Sequence, residues 1–196
     1  EAGERQPGKM AAVLGLEDAE VEALCASVGE GEAGAVVPAN FNAPGQVVVS
    51  GEAEAVDEFG SRAREAGAKL VVELQVSGAF HSRLMEPAAR EMAPLLRDAA
   101  IRTSRIPVVT NVRAEPASEG EGLREQLISQ ITHPVRWTES VRAMVKIGVT
   151  TAAEVGPGAV LRGLARRIDR GLRMLPAGTV EDLSSTASAF RELTDG

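Results

Sequence analysis

The sequence predicts an α/β protein built in two parts, on three observations. Short β-branched runs alternate with amphipathic helical stretches, and residues up to about 76 follow the order β-α-β-β-α-β. Beyond them the pattern becomes a plain alternation of helix and strand. With 196 residues, 44% hydrophobic and 25% charged, the chain has length for one large domain or two small ones around a real core.

Lys9 to Leu16 is an apolar run that predicts a strand. Glu17 to Val28 then carries acids in its first turn and sets Val21, Leu24, Cys25 and Val28 on one helical face. Gly29 to Gly34 is a loop of glycine and glutamate. Val36 to Asn40 and Gln46 to Ser50 predict two strands around Asn42-Ala43-Pro44-Gly45, where Pro followed by Gly suits a chain reversal. After Gly51, an acidic helix from Glu52 to Ala66 gathers Ala55, Val56, Phe59 and Ala63 on one side, and Lys69 to Val76 predicts a buried strand. Residues 8–76 are thus expected to form a ferredoxin-like small subdomain, the split β-α-β arrangement.

Residues 77–196 form the second part. Leu84 to Ala99 is predicted helical, with Leu84, Met85, Ala88, Met92, Leu95 and Leu96 on one face, Pro87 restricting its start and Pro94 interrupting its run. Ile106 to Val112 predicts a strand whose proline suits a sheet edge. Helices from Glu119 to Ile131 and Thr138 to Ile147 flank the turn Thr132-His133-Pro134. A strand from Thr151 to Val155, the tight turn Gly156-Pro157-Gly158 and a helix from Ala159 to Arg170 follow. Leu172 to Pro176 and Val180 to Leu193 supply a last strand and helix. This alternation predicts a mostly parallel sheet covered by helices, with the boundary between the two parts near residues 76 to 82.

Composition narrows the function. A net charge of −7 gives no basic field for nucleic acid, and 3% aromatic residues with no tyrosine leave little for base stacking. The single cysteine, Cys25, excludes an intrachain disulfide and fits a reducing, cytoplasmic compartment; its place on a helical stripe favours core packing over nucleophilic chemistry. No apolar run approaches the ~18 to 20 residues of a membrane span.

The stretch Ser77-Gly78-Ala79-Phe80-His81-Ser82 lies where the last predicted strand of the first part empties into a small-residue turn. Imidazole is suited to taking up and returning a proton near neutrality, so His81 is a candidate base, although a histidine satisfied at a strand end fits the same pattern. A base needs a nucleophile, and no Gly-x-Ser-x-Gly elbow occurs in the sequence. A metal role finds no support either: His133 is the only other histidine, and neither His-Glu-x-x-His nor Cys-x-x-Cys spacing is present.

Four ordered motifs carry a resemblance: Asn40-Phe41-Asn42-Ala43-Pro44-Gly45-Gln46, Gly78-Ala79-Phe80-His81-Ser82, Gln130-Ile131-Thr132-His133-Pro134-Val135-Arg136-Trp137 and Glu154-Val155-Gly156-Pro157-Gly158. Together, from about Gly8 to Arg170, the chain resembles the malonyl-CoA:acyl-carrier-protein transacylase family of fatty-acid synthesis, whose relatives include acyltransferase domains of polyketide synthases. The resemblance implies that residues 77–196 are the C-terminal part of an α/β-hydrolase-like core into which the ferredoxin-like subdomain is inserted. It implies a ping-pong reaction through an acyl-serine, with malonyl-CoA and acyl carrier protein as partners and no resident cofactor or metal.

By the same resemblance His81 is the catalytic histidine, and Gln130 is the glutamine whose main-chain carbonyl orients it. Phe80 corresponds to the bulky residue associated with malonyl preference. Asn40 and Asn42 correspond to residues at the pocket mouth, a role that stands beside their reading as turn-forming asparagines. Arg162, Arg166 and Arg167, with Arg170 and Arg173, form either a docking face for the acidic carrier or CoA phosphates, or a solvated helix face offsetting a helix dipole. The resemblance implies an N-terminal portion, lying elsewhere, with the serine, an arginine for the malonyl carboxylate and part of the oxyanion hole; the start at Glu1 without methionine and the missing elbow fit this, and this chain alone is expected to transfer no acyl group. A polyketide-synthase acyltransferase fragment and a non-catalytic carrier or CoA binding module are the other readings.

Overall fold

A computed structural model of the chain describes residues 8–31 and 34–194. Residues 32 and 33 of the expected glycine and glutamate loop, and the opening Glu1 to Arg5, lie outside the described residues. The chain divides into two compact units, Glu1–Ser140 and Val141–Gly196.

In the first unit, β1 (Lys9–Leu14), α1 (Asp18–Gly29), β2 (Val36–Ala43), β3 (Gln46–Gly51), α2 (Ala53–Glu65) and β4 (Leu70–Glu73) follow one another. The strands form one antiparallel sheet in the order β2-β3-β1-β4. Its register places Val13 opposite Val47 on one side and Val71 on the other. Strand alternation sends Val13, Val47 and Val49 to one face, where they pack with Val21, Cys25 and Val28 of α1 and Val56 and Phe59 of α2. The opposite face carries Met10, Ala39 and Val48 in a second buried cluster. Both faces of β3 are therefore covered, which accounts for its unbroken Val47-Val48-Val49 run. The Pro44-Gly45 turn joins β2 to β3 with Gly45 at φ 69°, a left-handed conformation that favours glycine. Gly51 admits the Ala35 carbonyl so closely that an added Cβ would lie 2.1 Å from it.

Cys25 is a core residue at 4% exposure, and burial pushes its thiol pKa up to about 12. A thiol so disfavoured as thiolate is no nucleophile.

Three expectations are corrected here. The Lys69 to Val76 stretch is not a buried strand: only Leu70–Glu73 is in the ladder, and Leu70 and Val72 are 49% and 42% exposed. As the sheet edge, β4 sends Val71 toward the core while its neighbours face outward. Next, the predicted helix from Leu84 begins as a 3-10 turn, Arg83–Met85, and continues as α3 (Glu86–Asp98), with Pro87 in its first turn and Pro94 inside. Its covered face runs through Met85 and Ala93, leaving Met92 and Leu95 exposed; the covered line is turned away from the predicted one. Finally, the Ile106 to Val112 strand contracts to β5 (Val108–Val109), paired antiparallel with an unpredicted β6 (Pro116–Ala117). Pro107 lacks a ladder donor, and the chain turns directly after β5, with the Ala114 N–H bonded to the Thr110 carbonyl.

The unit continues with α4 (Gly120–Gln130), next to α3. Arg124 of α4 donates to the Leu96 and Ala99 carbonyls at 3.0 and 3.1 Å, satisfying the end of α3. Helix α5 (Trp137–Lys146) follows.

The second unit contains β7 (Thr151–Val155), α6 (Val160–Ile168), β8 (Arg173–Ala177) and α7 (Val180–Thr194). β7 and β8 pair in parallel from Thr151 opposite Arg173 to Val155 opposite Ala177. The expected mostly parallel sheet is reduced, among the described residues, to this one pair, because β4 and β5 are taken up by antiparallel partners.

Candidate active site

The site is assembled from chain reversals that bring distant motifs together. Ser82 is 2% exposed; its Oγ donates to the Ala79 carbonyl at 2.7 Å and accepts from the Leu84 N–H at 3.3 Å. These bonds close a tight turn around His81 and cap the helical turn that follows. His81 itself adopts φ 60°, a left-handed conformation that costs a non-glycine residue about 1 to 2 kcal/mol. Arg83 pairs with Glu52 at 2.7 Å and so ties this turn to the start of α2. Burial works against the Glu52 charge, but bonds from Arg83 and the Ala35 N–H outweigh it and hold the carboxyl below the usual carboxylate range.

The half-buried His81 ring presents Nδ1 to the Gln130 carbonyl at 3.0 Å. A carbonyl only accepts, so Nδ1 carries the proton of this bond, and in the neutral ring the lone pair is then on Nε2. The Gln130 carboxamide lies 3.5 Å from the same nitrogen, but it donates instead to the His133 carbonyl at 2.9 Å and the Pro134 carbonyl at 3.4 Å. Gln130 thus provides the acceptor for His81 and, through its side chain, bolts down the turn that follows.

That turn runs into Val135, which pairs with β2: its N–H donates to the Ala39 carbonyl at 2.8 Å, and its carbonyl accepts from the Phe41 N–H at 2.9 Å. Thr138 is buried and donates to the Phe41 carbonyl at 3.1 Å. The Asn40 and Gln130 motifs, some ninety residues apart, are therefore adjacent. Asn40 and Asn42 lie within β2 rather than in the Pro44-Gly45 turn, so the reading of them as turn formers is corrected. The register shifts on either side of Phe41 and re-aims this part of the strand. Phe80, beside His81, is 37% exposed.

In the second unit, the Glu154 carboxylate accepts from the Leu161 and Arg162 N–H groups at 2.8 and 3.1 Å, and Arg162 Nε lies 3.3 Å from it. Burial again raises the cost of its charge, yet these donors and the guanidinium keep its pKa lowered. Glu154 therefore caps the first turn of α6. Arg162, Arg166 and Arg170 line a cleft of about 540 Å³ with Leu172 and Met174. Arg167 is not among its lining residues. Among the described residues no group of three or more His, Cys, Asp or Glu could hold a metal ion, and no helix is long and apolar enough to cross a membrane.

Three contributors were not expected from the sequence: the Ser82 hydroxyl, the Gln130 carboxamide and the Glu154 cap. Serine just before a helical start is a capping signal, and an acid seven residues ahead of Leu161 is a weaker one.

A family model for acyl transferase domains matches residues 4–189. The chain is 39% identical over 188 residues to a malonyl CoA-acyl carrier protein transacylase of Bacillus subtilis, covering 96% of this chain and 59% of that protein. It is 41% identical over 183 residues to one of Escherichia coli K12, covering 93% and 58%. A solved malonyl-CoA:acyl carrier protein transacylase from Xanthomonas oryzae pv. oryzae superposes with a TM-score of 0.88 at 40% identity, over 96% of this chain and 60% of that one. A malonyl-transacylase in complex with a type II polyketide acyl-carrier protein gives 0.86 at 37% identity, over 93% and 60%. The chain spans just under three fifths of the two curated relatives.

Proposed function

This chain belongs to the acyl transferase domain family, and we propose that it supplies the histidine half of a malonyl-CoA:acyl-carrier-protein S-malonyltransferase. The observation that carries this reading is the 3.0 Å bond from His81 Nδ1 to the Gln130 carbonyl, which leaves Nε2 free to accept a proton. In the first half-reaction Nε2 takes the proton of a serine hydroxyl as its oxygen attacks the malonyl thioester, and the CoA thiol leaves with that proton. In the second, Nε2 takes the proton of the carrier's phosphopantetheine thiol as its sulfur attacks the acyl-serine, and the proton returns to the serine oxygen. The neutral carbonyl plays the part of a triad acid.

The 196 residues hold no Gly-x-Ser-x-Gly elbow; we assign the serine to a portion outside them, consistent with the share of its relatives' length that the chain spans. Residues 8–76 then form the ferredoxin-like subdomain, supported by their strand order, and residues 77–196 part of an α/β-hydrolase-like core. Phe80, Asn40 and Asn42 border the acyl pocket. Arg162 and Arg166, in a basic cleft, with Arg167 on the same helix, form the docking face for carrier or CoA phosphate. The reaction needs no bound cofactor and belongs in the cytoplasm. A polyketide carrier is the second reading, favoured by the likeness to the transacylase solved with such a carrier.

The test is malonyl transfer from malonyl-CoA to holo carrier protein, read by intact mass, with the native protein and its His81→Ala variant. The variant is expected to lose about 10² to 10⁴-fold in rate; unchanged turnover would overturn the reading.

A further inference from the structure

The sequence contains two histidines, and both bind the same helix end. His81 Nδ1 meets the Gln130 carbonyl, and His133 Nδ1 meets the carbonyl of the preceding residue, Ser129, at 2.8 Å. These are two of the four carbonyls that α4 leaves without intrahelical partners. We infer that His133 is a positioning residue for His81, an inference that rests on the proposed base role of His81.

The carbonyl at Ser129 can only accept, so His133 Nδ1 carries a proton just as His81 Nδ1 does. The Thr132 N–H also reaches this carbonyl, at 3.2 Å. With these donors drawn to Ser129, the carbonyl of Gln130 is left for His81. A second link runs the opposite way, from the Gln130 carboxamide to the His133 carbonyl at 2.9 Å. His133 is thus bonded at its ring to the residue before Gln130 and at its carbonyl to Gln130 itself. This closes a small loop that fixes the peptide plane on which the His81 acceptor sits. Val135, bonded to β2, anchors the far side. His133 touches no reacting atom in this scheme, and its ring is exposed, so its removal leaves no cavity in the core.

Substitution separates the donor from the ring. His133→Phe keeps a ring and removes the N–H; His133→Asn removes the ring and keeps a donor at nearly the same distance from the backbone. In the native protein, His133→Phe is expected to lower kcat roughly tenfold, the scale on which small misplacements of a reacting group are felt, with KM for malonyl-CoA unchanged. His133→Asn is expected to restore most of that loss. Equal kcat in wild type and His133→Phe, or equal loss in both variants, would overturn the inference. The ring-nitrogen NMR signals of His81 give a readout independent of turnover: the protonated Nδ1 signal should weaken in His133→Phe and persist in His133→Asn, and the same signal in both would again overturn it. His81→Ala, assayed in parallel, separates the two ideas. Full activity there removes the base role, whereas loss there with an indifferent His133 removes only the positioning role.

Discussion

At the scale of single residues, the site is held by bonds that compete poorly with anything else. His81 sits in a left-handed conformation and is kept there by the Ser82 hydroxyl on one side and the Gln130 carbonyl on the other. Replacing Ser82 by Ala leaves the Leu84 N–H without its acceptor and is expected to cost about 1 kcal/mol, the usual worth of such a cap, measured by urea unfolding. Gln130→Glu exchanges a donating amide for a carboxylate that faces two carbonyls. It is expected to destabilise by about 1 to 3 kcal/mol and to lower turnover with it, checked by melting temperature and malonyl transfer on the same preparation.

At the scale of elements, what could be read from the sequence divides by cause. Helix starts were legible because their signals are local: acids in the first turn of α1, with the Glu20 carboxylate accepting from the Glu17 N–H at 2.8 Å, and Val21, Cys25 and Val28 at helical spacing. The exposure of β4 was not legible, because nothing in Leu70-Val71-Val72 says that it ends at the rim of a sheet. The covered line of α3 was missed for a similar reason: it depends on where α4 lies, and Arg124 capping α3 is visible only in three dimensions. The nearness of His81 to Gln130 followed from no spacing; it entered with the family resemblance, and the carboxamide's own bonds did not.

Glu154 gives an element-scale prediction with a sign. Its folded pKa lies below the unfolded value, so its contribution is present above the unfolded carboxylate range and is lost as pH falls through the folded value. Glu154→Gln should therefore melt lower than wild type at neutral pH and converge with it as pH drops below roughly 4, the ordinary carboxylate range. Parallel melting curves at every pH would contradict this.

At the scale of the whole molecule, the two units differ in how much sheet they contain. Among the described residues, the first has a four-stranded sheet, with both faces of β3 buried, and the short β5-β6 pair; the second has one parallel pair. Two-stranded sheets are marginal without further cover, so amides of β1 and β3 are expected to exchange most slowly, and those of β7 and β8 at least tenfold faster, in hydrogen-exchange mass spectrometry of this chain. The same chain by itself, mixed with malonyl-CoA and carrier protein, is expected to transfer nothing, because no elbow serine is in its sequence.

All of the proposed chemistry requires the proton of neutral His81 to reside on Nδ1, against the Gln130 carbonyl. A long-range ¹H–¹⁵N correlation spectrum of the native protein, labelled at histidine, measures this directly. The expected result is a protonated Nδ1 and a lone pair on Nε2. A signal from His81 protonated at Nε2 would turn the basic nitrogen toward a carbonyl and contradict it.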